Sequence, residues 1–461
     1  MITRRKFLKN TALIGAGMIT TRLLNPSGTG AEVSDGKNQP PLILPPFLGK
    51  PTNTSMAVNI VAGERSIAAY VKYRREAGSA SEPWQRTGEF KAQAFSPVEM
   101  TLEDLLPETR YQYQLYARAM EDPEFQLVTE EAFLTRRSTA SPFSFALISD
   151  SHITPFNRER IDILSTISAS VVARRPDFYF MLGDNIQTFT SHGGPMIEKR
   201  FGPELYKDFR YGLAHLPSAV PGFFVIGNWE GENGWHPEKE RGWAREARQA
   251  FIPIPGPDTY PEGGSAFEDY YGFTWGDVLC LSLTVTGYTL SDHAINSPVG
   301  RADDWTLGDA QKEWLLKRLS TSQAAWKLLF IHHTVGGNAA DDVNSRYGRG
   351  GGRAAMVGEQ ALIHQWMRQF GVQALFYGHD HVFTDIPVDG IHYICVGSAG
   401  APWKFPESVT GYKTYWTPFG YTWVDVGKDT LTVSFIEPDG PDYRERVLHR
   451  FEIAKQMDRM P

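Results

Sequence analysis

A chain of 461 residues is long enough for two or three domains with a sizeable core, and 41% hydrophobic with 13% aromatic content marks a folded globular protein. The formal net charge of −7 excludes a nucleic-acid binder that works through a basic face. It leaves room for a small anionic substrate, because bound cations override the local charge. Cys280 and Cys395 each lie inside an apolar, strand-like run, so they read as buried thiols, with no disulfide framework or zinc-finger spacing.

In chain order, Thr3-Arg4-Arg5-Lys6-Phe7-Leu8-Lys9 precedes a short, weakly apolar stretch and resembles a twin-arginine export signal. That stretch is too short and too rich in Gly and Thr for a stable membrane span. Thr29-Gly30-Ala31 is the nearest small-residue cleavage pattern, which places the signal at residues 1–31. The resemblance implies passage through the twin-arginine translocation machinery after folding, and a periplasmic or secreted destination. Residues 32–50 are Pro-rich and polar and read as a linker.

Residues 51–138 change character, with short alternating runs at Met56–Val61, 68–74, 91–95, 111–119 and 128–134 separated by turn residues. No amphipathic helix interrupts them, which predicts a small β-sandwich of fibronectin type III or immunoglobulin kind. Leu106-Pro107 followed by Thr109-Arg110-Tyr111 resembles the turn that enters a late strand of fibronectin type III domains. This unit carries no catalytic cluster. Its expected role is structural, shaping one wall of a cleft.

From residue 142 to 455 apolar strands alternate with helical segments. Helices are expected at 158–174, at 306–319 with Thr306 as N-cap, and at 358–370. Late strands are expected at Ile391–Val396, Tyr421–Val426 and 430–435. The pattern predicts an α/β domain in four layers, α/β/β/α, with two sheets between helices. Five of its apolar runs deliver N or O ligands where they end, the place where open α/β sheets put their sites. They lead into Asp150-Ser151-His152, Gly183-Asp184-Asn185, Gly227-Asn228-Trp229-Glu230, His332-His333 and Gly378-His379-Asp380-His381.

This ordered series resembles the calcineurin-like metallophosphoesterases, over roughly residues 143–451. A β-sandwich ahead of that domain is similar to the purple acid phosphatases and to the PhoD-like alkaline phosphatases. The resemblance implies two metal ions, which clamp the attacking and leaving oxygens of an in-line displacement about 3.5–4 Å apart. It assigns Asp184 as the bridging carboxylate, Asp150, His152 and His381 to one ion, and Asn228, His332 and His379 to the other. Imidazole mixed with carboxylate suits Fe, Zn or Mn better than Ca or Mg. His333 is expected near the substrate rather than on a metal, and Asp380 either orients a ligand or closes its turn.

Two positions depart from the family. Its members usually read Gly-Asn-His-Asp or Gly-Asn-His-Glu, with the His protonating the leaving group or gripping a phosphoryl oxygen; here that place is Trp229. Replacement acids to consider are His236 and His293, with His192 and His333 behind them. The indole could instead stack on an aromatic or sugar part of a substrate. Three residues past Asp184, purple acid phosphatases place a metal-binding Tyr, and this chain has Gln187, so a colourless site is expected. The candidate catalytic residues are thus His333, Asn228 and Trp229. Candidate substrate-binding residues are Asn185, His236, Arg349 and Arg353, the last two, with Arg346, in a Gly-rich loop that either clamps phosphate or is simply solvated. The reading is an exported hydrolase of phosphate esters, tilted by Trp229 towards diesters or good leaving groups. Its rivals are a phosphomonoesterase of the acid phosphatase kind and a metal-holding binding protein without turnover.

Overall fold

The computed structural model describes residue 42 and residues 44–77, 82–189, 196–197, 199–290, 306–333, 358–403, 412, 414–439 and 444–455. The segment expected as an export signal and the Gly-rich run with Arg346, Arg349 and Arg353, together with His192 and His293, lie outside these residues. Among the described residues no helix is long and apolar enough to cross a membrane.

The large domain is built on two six-stranded sheets. In the first, Gly222–Phe224, Phe178–Met181 and Phe143–Ile148 run parallel and are followed by antiparallel Tyr421–Val426, Thr430–Asp439 and Arg444–Ala454. In the second, Val278–Leu283, Trp326–Ile331, Ala374–Tyr377 and Ile391–Val396 run parallel between antiparallel edges Tyr271–Trp275 and Phe383–Val388. Strand Val278–Leu283 shows why such runs are apolar throughout. Val278 and Cys280 face the core between the sheets, whereas Leu279, Leu281 and Leu283 face an outer core with Leu315, Leu319, Ile363 and Met367. Those last four residues belong to helices Asp309–Thr321 and Gly358–Gln369, which cover the second sheet. Helices Glu159–Arg174 and Gly202–Leu213 cover the first. The inner core is aromatic, with Phe180 stacked on Phe330 at 4.2 Å and Phe223 on Phe273 at 4.1 Å. The α/β/β/α layering is therefore as expected.

The N-terminal unit is all-β. One antiparallel sheet joins Phe47–Gly49, Met56–Val61 and Pro97–Leu102; the other joins Gln85–Arg86, Ile67–Arg75, Arg110–Ala119 and Gln126–Leu134, with Phe90–Ala92 added to Ile67–Arg75. The segment read as linker to residue 50 therefore ends in a strand, and Phe47 and Leu48 are buried. The run expected at 91–95 stops at Ala92, because Phe95 sits at φ 58° in a turn. Pro97 hides the next strand in the sequence, yet as its first residue it forfeits no essential ladder bond. Thr306 is not an N-cap: the helix starts at Asp309 with Gly308 before it, and Thr306 Oγ1 accepts from Gly308 N and donates to Glu359.

The two units are joined by a buried cation. Arg210 donates to Asn59 Oδ1 (2.6 Å), the carbonyls of Asn59 and Pro45, and that of Phe251. Such satisfaction is what permits a guanidinium to sit out of water.

Candidate metal centre

The first three ligand-bearing loops follow the parallel strands of the first sheet, and the other two follow Trp326–Ile331 and Ala374–Tyr377 of the second. Both sheets thus aim the ends of their parallel strands at one place. Five of the polar residues there hold left-handed backbone: Asp150 (φ 56°), His152 (45°), Asp184 (51°), His379 (71°) and His381 (56°). Non-glycine residues rarely adopt this region, and each such residue costs about 1–3 kcal/mol, so the surroundings must enforce it. Ladder-like bonds do so: Asp150 N to Gly183 O (3.1 Å), His152 N to Asp184 O (2.8 Å) and Ala401 N to Asp150 O (2.9 Å).

Each carboxylate is held by one oxygen and presents the other. Asp150 Oδ2 accepts from the His379 backbone N–H (3.0 Å), leaving Oδ1 at 3.3 Å from His381 Nε2 and 3.7 Å from His152 Nε2. Asp184 Oδ1 accepts from the Trp229 backbone N–H (2.8 Å), leaving Oδ2 at 3.4 Å from His152 Nε2 and 3.0 Å from His332 Nε2. The imidazoles are oriented in the same way. His332 Nδ1–H donates to Leu182 O (2.7 Å) and His381 Nδ1–H to Pro402 O (3.2 Å), which turns each Nε2 inward with its lone pair. Among the described residues three groups of potential ligand atoms result, Asp150–His152–His381, Asp150–Asp184–His332 and His332–His333–His379.

The donor set fits metal ions. Asp150 Oδ1, His152 Nε2, Asn228 Oδ1 and His332 Nε2 are buried and make no hydrogen bond within the chain, a costly state unless a cation satisfies them. The electrostatics agree. Burial alone would raise Asp150, but His381, His152 and His332 pull it down to about 2, and Asp184 is likewise held well below its usual range. Burial would lower His332, yet Asp184, Asp150 and Glu230 lift it to about 9. A cavity that demands positive charge this strongly suits cations.

Of the other expected residues, His333 comes into the cluster, its ring 4.1 Å from that of His379 and 4.7 Å from that of His332. Trp229 sets its indole against the His152 ring at 5.4 Å. His236 stands further out, stacked on Phe189 at 5.0 Å. Asn185 is fully buried, with Nδ2 donating to Glu230 (3.2 Å). Asp380 closes its turn and accepts from Tyr412 OH, tying the Gly378–His381 loop to the segment beyond Trp403.

Glu230 is the residue that sequence reasoning passed over. Its buried carboxylate accepts from the backbone N–H groups of Asp184 (3.0 Å), Asn185 (2.7 Å) and Gly227 (2.7 Å), locking two ligand-bearing loops together. Burial and neighbouring Asp184 raise it to about 7. Its place after Gly227-Asn228-Trp229 was the available signal, since the resembled pattern carries an acid there.

Residues 143–383 match the family model described as calcineurin-like phosphoesterase, a little over half of the chain. The chain belongs to the calcineurin-like phosphoesterases. Among solved structures, that of PhoD superposes with a TM-score of 0.69 at 14% identity, covering 90% of each chain. Purple acid phosphatase PPD1, isolated from seeds of yellow lupin (Lupinus luteus), superposes with a TM-score of 0.64 at 14% identity, covering 89% of this chain and 74% of that one. No curated protein matches the chain in sequence. Coverage near nine-tenths takes in the N-terminal β unit, so the chain shares the overall fold of both structures.

Proposed function

We propose that the chain is an exported hydrolase of phosphate esters that works with two metal ions. One observation supports the pair: Asp184 Oδ2 lies within 3.4 Å of His152 Nε2 and 3.0 Å of His332 Nε2, so one carboxylate oxygen would serve two ligand sets. Asp150, His152 and His381 would hold one ion. Asn228, His332 and His379 would hold the other, with Asp184 between them. Bound there, the ions supply Lewis acidity, activating the attacking water and neutralising charge on the phosphoryl oxygens. Imidazole and carboxylate donors favour Fe, Zn or Mn.

The chain's own residues do the positioning. Glu230 and the left-handed turns fix the ligand atoms before substrate arrives, so little reorganisation is needed at the moment of reaction. His333 neighbours the second ligand set, and we propose that it meets a phosphoryl oxygen or leaving group. Asn185, held by Glu230, and Arg349 and Arg353 are retained as proposed substrate contacts, as is His236 at the outer rim. Export rests on the twin-arginine-like run at Arg4-Arg5. The test is hydrolysis of a chromogenic monoester and diester by protein loaded in turn with Mn, Zn and Fe. Turnover that vanishes in Asp184→Asn supports the reading, and its absence under every loading contradicts it.

A further inference from the structure

Arg160 stands beside the candidate metal centre without a counter-ion. Its Nη1 donates to the His152 carbonyl (2.6 Å) and to Gln187 Oε1 (3.2 Å). Gln187 is itself fixed, because its Nε2 donates to Phe189 O (3.1 Å). The rest of the guanidinium is unmatched: Nε is buried without a hydrogen-bond partner, and Nη2 makes no bond among the described residues. Glu159 and Asp162, the acids of the same helical turn, form no ion pair with it, and burial acts on its charge with no neighbouring acid to offset it. Arg137, Arg174 and Arg248, by contrast, each hold a carboxylate, from Asp177, Glu445 and Glu232. A partly desolvated charge without a partner is costly, and the first turn of helix Glu159–Arg174 adds to the cost because its dipole disfavours a cation.

We infer that Arg160 is a subsite for a second anionic group, a carboxylate or a further phosphate, carried by the phosphoester substrate. The inference rests on the phosphoesterase reading and narrows its substrate class. His152 presents Nε2 to Asp150 and Asp184 and its carbonyl to Arg160, so the guanidinium lies beside the ligand atoms and not among them. A phosphoryl group seated at those atoms leaves Arg160 for a group further along the molecule. The side chain is half-buried, and its two bonds through Nη1 fix the plane of the fork before a ligand arrives. Gln187 matters here for what it is not. An amide oxygen accepts a bond without cancelling the charge, whereas an acid in its place would neutralise it. An incoming anion therefore displaces no protein carboxylate, and it supplies the partner that the fold withholds. Charge-assisted bonds from a guanidinium to carboxylate or phosphate oxygens are about twice as strong as neutral ones.

The test uses full-length metal-loaded protein and calorimetric binding of three phosphonates that share a two-carbon spacer: propylphosphonate, phosphonopropanoate and ethylene diphosphonate. Wild type should bind at least one of the two doubly anionic probes about 10- to 100-fold tighter than propylphosphonate, the range of a hydrogen bond to a charged group. The tighter of the two names the second group as carboxylate or phosphate. Arg160→Gln should erase the ratio at unchanged metal content, read by elemental mass spectrometry. Arg160→Lys, which keeps the charge without the fork, should retain part of it. Equal binding of the three probes by wild type, which needs no variant to fold, overturns the subsite alone. So does an unchanged ratio in Arg160→Gln. A uniform fall for all three probes in that variant, together with lost metal, makes Arg160 only a buttress of His152 and overturns the subsite as well. Failure of all three phosphonates to bind the metal-loaded wild type overturns the phosphoesterase reading, and the subsite with it.

Discussion

Asp184 Oδ2 stands 3.0 Å from His332 Nε2, although the two residues come from different sheets. That approach is possible because Gly183, at φ 90°, has no side chain; a Cβ there would meet His332 Nδ1 at 2.6 Å. Gly183→Ala adds this clash to a backbone that L-residues resist. The variant should lose roughly 2–4 kcal/mol of stability. Its metal content should fall as well, which denaturant titration and elemental mass spectrometry would read together.

Glu230 makes the same interlock from beneath. Its two oxygens accept four N–H bonds, three of them from the backbone. Glu230→Gln sets an amide NH2 against N–H donors and leaves at least one buried donor unsatisfied. The expected loss is about 2–4 kcal/mol, since hydrogen bonds to charged groups contribute about 1.5–3 kcal/mol each. Metal affinity should fall with it. A stable variant with full metal content would show that Glu230 is not the organiser.

Gln187 has both ends committed elsewhere. Its Oε1 accepts from Arg160 Nη1 (3.2 Å) and its Nε2 donates to Phe189 O (3.1 Å). Gln187→Ala should therefore leave metal stoichiometry unchanged. The wild-type protein loaded with iron should show no tyrosinate charge-transfer band in its visible spectrum.

Much of the candidate centre was legible because each candidate ligand sits at the end of an apolar run, where strand periodicity stops and a polar cluster begins. Asp150-x-His152 and Gly378-His379-x-His381 carry that signal in adjacent letters. What stayed hidden depends on contacts between distant segments. The work of Glu230 is invisible until its loop lies against Asp184, and Phe189 meets the Trp229 and His236 rings across segments far apart in sequence. Strand Arg444–Ala454 was missed for a different reason. It is a sheet edge, largely exposed and rich in charge, so it lacks the apolar alternation that marks a strand.

That edge strand supplies a pH-dependent tie. Glu445 accepts from Ser170 Oγ (2.5 Å), Tyr421 OH (2.6 Å) and Arg174 Nε (2.7 Å). Burial alone would raise its carboxyl, but Arg174, Ser170 and Tyr421 together lower it. The ionised form is therefore favoured in the fold. Its contribution is full above the unfolded value near 4.3 and is lost as pH falls through the lower folded value. Glu445→Gln should cost about 1–2 kcal/mol at neutral pH, discounted for partial exposure. The gap from wild type should close in acid denaturation profiles below that value.

The proposed bridging role of Asp184 is tested most directly by counting metal ions per chain in wild type and Asp184→Asn, each reconstituted and measured by elemental mass spectrometry. Two ions in wild type are expected, with both lost or bound far more weakly in the variant, because in the proposed centre one carboxylate oxygen would serve both ligand sets. A variant that keeps two tightly bound ions would contradict the bridge.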